Sequence, residues 1–490
     1  MDKSPLICGV FFMRKGEVHM GKKSIVIFVF LLLGALSCFA QTITLDEYLE
    51  LVKKNHPFFR KEALEVDIEK KRAERFPGVE DWNFEIAPFY GYLGEASAAE
   101  FQSDTIHQVG IEAAVERIFW KSGGRLGLSF ESDYTRSQIT PAGTQKAYRH
   151  GFGVSYTHPF LQNAKGVLDR LAYELSAYSI DLSMVQRDEN QETFLVEAAN
   201  GFLQWAYLSE VISIAEERLT LAEEQKAQTD KKFKSNLVDK VDVLRAEDAI
   251  RIAKQALLKT QSLWKAKQAE LSVIAGSDEI TGQSPAFDLY SLHTLPAVER
   301  AIDTMKARSR LLTVFDILTD QLAYSRIGLI EQKRPGLNLT VAGGLYGRDE
   351  EFGKSLEITK PDAQVSVAYF TTFGHRSLKA QIEQTELEIR QLEEDKENVA
   401  VGLEASLRNI FIQIIETEKV LELNRAQIVS AAEKTAEELK LYNQGRSQLT
   451  FVIQSRDNEE NAKLTYAENA LGYQQLLLQY RALMDELLGK

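Results

Sequence analysis

Val154-Ser155-Tyr156-Thr157-His158-Pro159-Phe160 has a looser second copy in Val367-Ala368-Tyr369-Phe370-Thr371-Thr372-Phe373. In each copy an alternating, strand-like run ends on an aromatic residue and a long helical stretch follows. A second matching pair comes some seventy residues later in both cases. Phe233-Lys234-Ser235-Asn236 is followed by Val241 to Asp248, and Tyr442-Asn443-Gln444-Gly445 by Thr450 to Asp457. Asn and Gly both tolerate the left-handed backbone that ends a helix, so these passages read as the tips of two helical hairpins. Pro77-Gly78 and Pro335-Gly336 mark a further pair, where helix gives way to strand. The order helix, two strands, long helix, tip, return helix is thus written twice. Residues Gly276 to Leu295, with Pro285 and Pro296, form the seam. The expected division is 1–40 upstream, 41–285 as the first repeat and 286–490 as the second.

Proline placement permits the long helices. None occurs between Pro159 and Pro285 or after Pro361, and proline breaks helix interiors by removing a donor and clashing with the preceding turn. Val167 to Phe233 and Leu378 to Tyr442 are rich in Glu, Lys, Gln, Ala, Leu and Ile, all compatible with helix. Each could extend roughly 100 Å at the helical rise. An ordinary coiled coil would show the same periodicity.

The sequence before each rod alternates. Leu126, Leu128 and Phe130, then Phe152, Val154 and Tyr156, Leu337, Leu339 and Val341, and Val365, Val367 and Tyr369 interleave with small or polar residues. Such strands suit a barrel with a lipid-facing side and a wet lumen, and equally a soluble antiparallel sheet with one wet face. Polar stretches Ser137 to His150 and Arg348 to Pro361 read as the external turns of two hairpins. Trp82 to Ile86 and Val109 to Val115 are also strand-like but have no counterpart in the second half, which leaves the strand count open.

The N-terminus reads as an export signal. Lys22 and Lys23 precede an apolar run from Ile25 to Leu36, and Cys38-Phe39-Ala40 places small residues before a cut between Ala40 and Gln41. Ala35 and Leu36 are a poor lipobox before Cys38. The only other cysteine is Cys8, so cleavage removes both and leaves no disulfide, thiol nucleophile or Cys-ligated metal. The net charge of −13 argues against a nucleic-acid partner, which needs a basic stripe.

These features together resemble the TolC-like outer membrane efflux protein family. The residues that carry the resemblance are Thr42-Ile43-Thr44-Leu45-Asp46-Glu47-Tyr48-Leu49-Glu50 with Asn55-His56-Pro57, Tyr156-Thr157-His158-Pro159-Phe160, and Tyr442-Asn443-Gln444-Gly445. Their order, spacing and duplication cover essentially all of 41–490. The resemblance implies a mainly α fold of duplicated architecture, with long helical hairpins forming a periplasmic α-barrel and strands of a shared trimeric transmembrane β-barrel. It implies four strands per subunit and twelve per homotrimer. The chain would be a passive outer-membrane exit duct of a tripartite efflux or type I secretion system, without catalytic site, metal or cofactor. Its partners would be outer-membrane lipid, a periplasmic adaptor protein and an inner-membrane transporter. In the family, acidic residues near the second tip narrow the entrance; alignment on the tip glycine puts Phe451 and Gln454 there, neither acidic. Asp239 and Asp242 at the first tip are the nearest acidic candidates. Phe451 is expected to supply an apolar ring, with simple packing between helices as the alternative. Adaptor docking would fall around Asn236, Leu237, Gly445 and Arg446, where plain turn chemistry is the competing explanation.

No other chemistry stands out. His19, His56, His107, His150, His158, His293 and His375 are scattered, without a second ligand at metal spacing. There is no phosphate loop ending in Lys-Ser or Lys-Thr and no nucleophile elbow. The competing readings are a periplasmic coiled-coil adaptor, against which the duplication and the strands count, and an exported enzyme on a helical scaffold.

Overall fold

The computed structural model describes residues 42–94, 103–139 and 142–488. The expected signal peptide, its Ala40/Gln41 cut, Cys8 and Cys38 lie outside these residues. The chain enters through a two-residue strand β1 (Thr42–Ile43) and helices α1 (Leu45–Asn55) and α2 (Pro57–Ala73). Thr44 opens α1 with a capping box. Its hydroxyl accepts the Glu47 N–H, and the Glu47 carboxylate accepts the Thr44 N–H at 2.9 Å. His56 closes α1 and caps α2 by accepting the Phe58 N–H at 3.2 Å, with Pro57 pre-set at the first helical position.

Six long strands build one antiparallel sheet. They are β2 (Asn83–Gly94), β3 (Ser103–Phe119), β4 (Gly124–Ile139), β5 (Gly143–Pro159), β7 (Gly336–Asp349) and β8 (Lys360–Phe370), paired in that order. This corrects the four strands implied by the resemblance. The strand-like sequences Trp82–Ile86 and Val109–Val115 belong to a full hairpin, β2–β3, that the second half lacks. The stretch Ser137–His150 is also mostly strand, since β4 and β5 stay paired up to Ile139↔Gly143. There both sheet faces are polar, so apolar alternation fades while the ladder continues. The other expected turn holds a one-turn helix α7 (Phe352–Ser355). Phe352 lies edge-on over Tyr148 and His150 at 5.5 and 5.2 Å.

The helices carry the duplication. Helix α3 (Val167–Lys234) and helix α8 (Arg376–Asn443) are each 68 residues long, roughly 100 Å at 1.5 Å per residue. They return through α4 (Lys240–Ala275, 36 residues) and α9 (Leu449–Leu483, 35 residues). The seam holds β6 (Ser284–Pro285), α5 (Val298–Arg308) and α6 (Arg310–Lys333). β6 pairs in parallel with β1, Thr42 opposite Ser284, which ties the start of the first half to the seam between the halves.

The apolar core sits at mid-height of the rods. Tyr48, Leu195, Phe202, Leu203, Trp205 and Leu271 are fully buried there, with Phe202 stacked on Tyr48 at 5.5 Å. Beside them Leu289, Met305, Leu407, Ile414 and Tyr473 form a second cluster. Burying each large apolar side chain contributes about 1.5–3 kcal/mol. An ionic knot binds the same level. Arg310 reaches Glu189 at 2.7 Å, Asp485 at 3.1 Å and the nearly buried Glu192, joining α3, α6 and the C-terminal turn. Glu192 also accepts the Leu487 N–H at 2.9 Å. Burial pushes the Asp485 carboxyl up, against the opposing pull of Arg310.

Candidate functional site

The register assigns every strand residue to one of two faces. On one face Phe84 aligns with Val115, Leu128, Val154, Gly343 and Ala363, and Ile86 with Ala113, Phe130, Phe152, Leu345 and Pro361. On the other, Glu85 aligns with Ala114, Ser129, Gly153, Gly344 and Asp362, and Ala87 with Glu112, Glu131, Gly151, Tyr346 and Lys360. One wall therefore has an apolar side and a wet side across all six strands. The large residues of the apolar side are exposed: Phe84 by 66%, Phe152 by 57% and Val367 by 67%. Aromatic residues mark both ends of this band, Tyr90, Tyr134 and Tyr148 on one row and Tyr156 and Tyr369 near the foot. Leu126, opposite Tyr156, lies eight residues from Tyr134, about 27 Å along the strand. Tilted as barrel strands are, that gives a height of roughly 20 Å, close to the apolar band of about 25 Å in outer-membrane barrels.

The wall is clamped to the helices at its foot. The turn between β3 and β4 presses the Trp120 carbonyl against Gly166, where a Cβ would come within 1.5 Å of that oxygen. Gly166 also needs φ +63°, so glycine is required there twice over. The Trp120 N–H donates to the Glu80 carboxylate at 3.1 Å, and its ring meets Tyr173 at 5.1 Å. Asn163, itself left-handed, accepts the Leu168 N–H at 2.9 Å and donates its backbone N–H to Glu331 at 2.9 Å.

The two tips lie side by side at the far end of the rods. Both close with one hydrogen-bond pattern: Leu237 N–H to Lys232 O and Arg446 N–H to Leu441 O, each 2.9 Å. Asn236 at φ +58° and Gly445 at φ +75° are the left-handed residues of this Schellman-type closure. Lys232 joins the tips, donating to the Tyr442 carbonyl at 3.0 Å and to Asn443 at 3.2 Å, with its ammonium 3.5 Å from the centre of the Tyr442 ring. Burial lowers the Lys232 pKa and raises that of Tyr442. Between the tips runs a groove of about 840 Å³ whose lining includes Asn236, Leu237, Asp239, Asp242 and Gly445.

Among the sequence-derived candidates, Asp239 and Gln448 occupy the same position, the residue before each return helix. Asp242 and Phe451 are likewise equivalent, each donating its N–H to that residue's carbonyl, at 3.0 and 3.1 Å. One tip thus offers a carboxylate where the other offers a ring. Asp242 is held by Arg245 at 3.2 Å. Phe451 is 50% exposed and Gln454 is exposed, whereas the adjacent Val452 and Ser455 are buried. Leu237 is 73% exposed and Arg446 is exposed. The lining residues of the wet sheet face were not singled out from sequence, although the alternation that sorts them was visible.

No protein-family model matches the sequence, and no curated protein matches it. Solved structures do. Over 90% of this chain and 91% of its own, CusC, described in work on transmembrane channel formation, superposes with a TM-score of 0.66 at 10% identity. The Campylobacter jejuni CmeC outer membrane channel superposes with a TM-score of 0.61 at 11% identity, over 97% of this chain and 94% of that one. This is the TolC-like outer-membrane channel fold. The open state of the Neisseria gonorrhoeae MtrE outer membrane channel shares it, with a TM-score of 0.61 at 14% identity over 90% and 88% of the two chains. At such identities the likeness is one of fold and not of particular side chains. Among the described residues, no helix is long and apolar enough to cross a membrane, and no three His, Cys, Asp or Glu side chains are grouped as metal ligands.

Proposed function

We propose that this protein is the outer-membrane exit duct of an efflux or secretion system, a passive conduit assembled from three copies. The observation that carries the reading is the two-faced sheet. An exposed apolar band with aromatic ends, backed by a wet face and continuous with rods of roughly 100 Å, suits a channel that crosses the outer membrane and extends into the periplasm. A single chain leaves β2 and β8 as open edges. In lipid each unpaired backbone group costs several kcal/mol, so only a closed barrel is tolerated.

In this reading residues 41–285 and 286–490 are two structural repeats. The tips face a periplasmic adaptor, with Asn236, Leu237, Gly445 and Arg446 as docking residues, and an inner-membrane transporter supplies the cargo. Phe451 and Gln454 from one tip and Asp239 and Asp242 from the other line the entrance, so that a carboxylate and a ring alternate around it. No step of the conduit's work requires catalysis.

The test is cell fractionation followed by light scattering of the detergent-extracted protein. The proposal expects the chain in the outer-membrane fraction with the mass of three copies. A monomer in the soluble periplasmic fraction would overturn it.

A further inference from the structure

We infer that the β2–β3 hairpin widens the barrel to eighteen strands, and that β2 of one copy pairs with β8 of the next to close it. The inference rests on the three-copy reading above. It commits to a second copy of this chain as the occupant of both open edges.

Four observations carry it. First, the hairpin obeys the same face sorting as the rest of the wall. Phe84, Ile86 and Tyr90 continue the apolar side, whereas Glu85, Glu112 and Glu116 continue the wet side. A strand pair folded away from the membrane has no reason to keep that phase. Second, the hairpin is paired to β4 along nearly its whole length, from Thr105↔Gln138 to Phe119↔Gly124, and is anchored below by Trp120. β4 is therefore unavailable as an outer edge. Third, six is an even number, so β2 and β8 run in opposite directions and three sheets join with every pair antiparallel. Of the 12 residues in β2, only Pro88 lacks a donor.

The fourth observation is geometric. The row perpendicular to the strands that begins at Asn83, the foot of β2, passes Glu116, Gly127, Ser155 and Ala342 and reaches Gln364. Gln364 lies six residues inside the foot of β8 at Phe370. With the strand feet level, six residues of climb over five strand spacings give a tilt of about 40°, inside the range of about 35–45° at which barrels close. Eighteen strands at that tilt have a backbone radius of about 18 Å, against about 12 Å for twelve strands. The open area more than doubles. The hairpin brings three glutamates and no basic residue to the wet face among its described side chains, whereas the other strands carry Arg125, Arg149, Arg348 and Lys360 together with Glu131, Asp133 and Asp362. The lumen then alternates acidic sectors with sectors of mixed charge.

Level feet also fix the seam. Ala87 of one copy falls opposite Ser366 or Ala368 of the next, the two same-face partners compatible with the tilt. Beyond Cys38 the sequence has no cysteine, so paired cysteines report without background. In the full-length protein oxidised in isolated outer membranes, Ala87→Cys with Ser366→Cys, or with Ala368→Cys, is expected to give a covalent trimer ladder that reductant abolishes. Ala87→Cys with the opposite-face Val367→Cys is expected to give none. A ladder from Ser129→Cys with Ser366→Cys would mean that β8 meets β4, and would overturn the inference while keeping the channel. A protein that light scattering shows to be trimeric, but with no ladder from either Ala87 pair, would also overturn it. A protein found only as monomers would instead overturn the three-copy reading itself.

Discussion

The two halves of the molecule agree in their helices and disagree in their strands. Their long helices are both 68 residues and their return helices 36 and 35, yet the first half contributes four strands to the main sheet and the second only two. Rod length must match between halves, because both tips meet at the same level and Lys232 of one binds Tyr442 of the other. Strand number has no such constraint. A hairpin can be added wherever its foot fits and its faces keep phase, and the cost is borne by barrel circumference alone. The fold thus holds a fixed length and an adjustable width.

The sharpest way to break that comparison is to remove the difference. Deleting residues 82–119 and joining Asp81 to Trp120 makes the halves alike, and the two ends already lie close through the Glu80 bond to Trp120. The rods are expected to persist while the barrel radius falls from about 18 to about 12 Å, read by electron microscopy of the extracted particle. Loss of the rods as well would show that strands and helices are not independent.

The next largest effect tests what joins the halves at mid-height. Arg310→Ala leaves Glu192 buried without its cation, and a broken buried pair costs about 3–5 kcal/mol. Denaturant unfolding of the extracted protein should show that loss. A change below about 1 kcal/mol would mean that the knot behaves as a surface ion pair.

The tips offer a finer comparison. Gly445→Ala puts a Cβ on a left-handed backbone and should destabilise the second tip by about 1–2 kcal/mol, visible as faster amide exchange around Arg446. Asn236→Gly at the equivalent position relieves the same strain and should leave exchange slower or unchanged. Equal responses would show that the two closures are not alike. The smallest expected effect is at the entrance. Phe451→Ala should raise basal conductance in planar bilayers, whereas Asp242→Asn should alter ion preference more than conductance. Unchanged conductance in the Phe451 variant would mean that the ring packs against a neighbour and does not gate.

Much of this was legible in the sequence because the signals were local. Absence of proline permitted both rods, helix-compatible composition placed them at Val167 to Phe233 and Leu378 to Tyr442, within a few residues of the observed ends, and Asn236 and Gly445 marked the tips through their backbone tolerance. His56-Pro57, quoted only for the family resemblance, proves to be a helix start with a side-chain cap. The strand count was not legible. Trp82–Ile86 and Val109–Val115 alternate well, but their role depends on pairing with β4, which is a long-range register that no local pattern encodes. The upper parts of β4 and β5 were hidden for another reason: where both faces are polar, the ladder survives on backbone bonds alone. At the entrance, the matched passages Val241 to Asp248 and Thr450 to Asp457 already set Asp242 opposite Phe451, and the hydrogen bonds of the two caps agree.

The central claim is that three copies form one wide barrel on rods of fixed length. Electron cryo-microscopy of the detergent-extracted full-length protein, at a resolution that separates strands, tests it directly. The account requires a threefold particle with eighteen strands, six from each copy, above a helical tunnel roughly 100 Å long. A threefold particle with twelve wall strands and the β2–β3 hairpin outside the wall, or a particle without threefold symmetry, would contradict it.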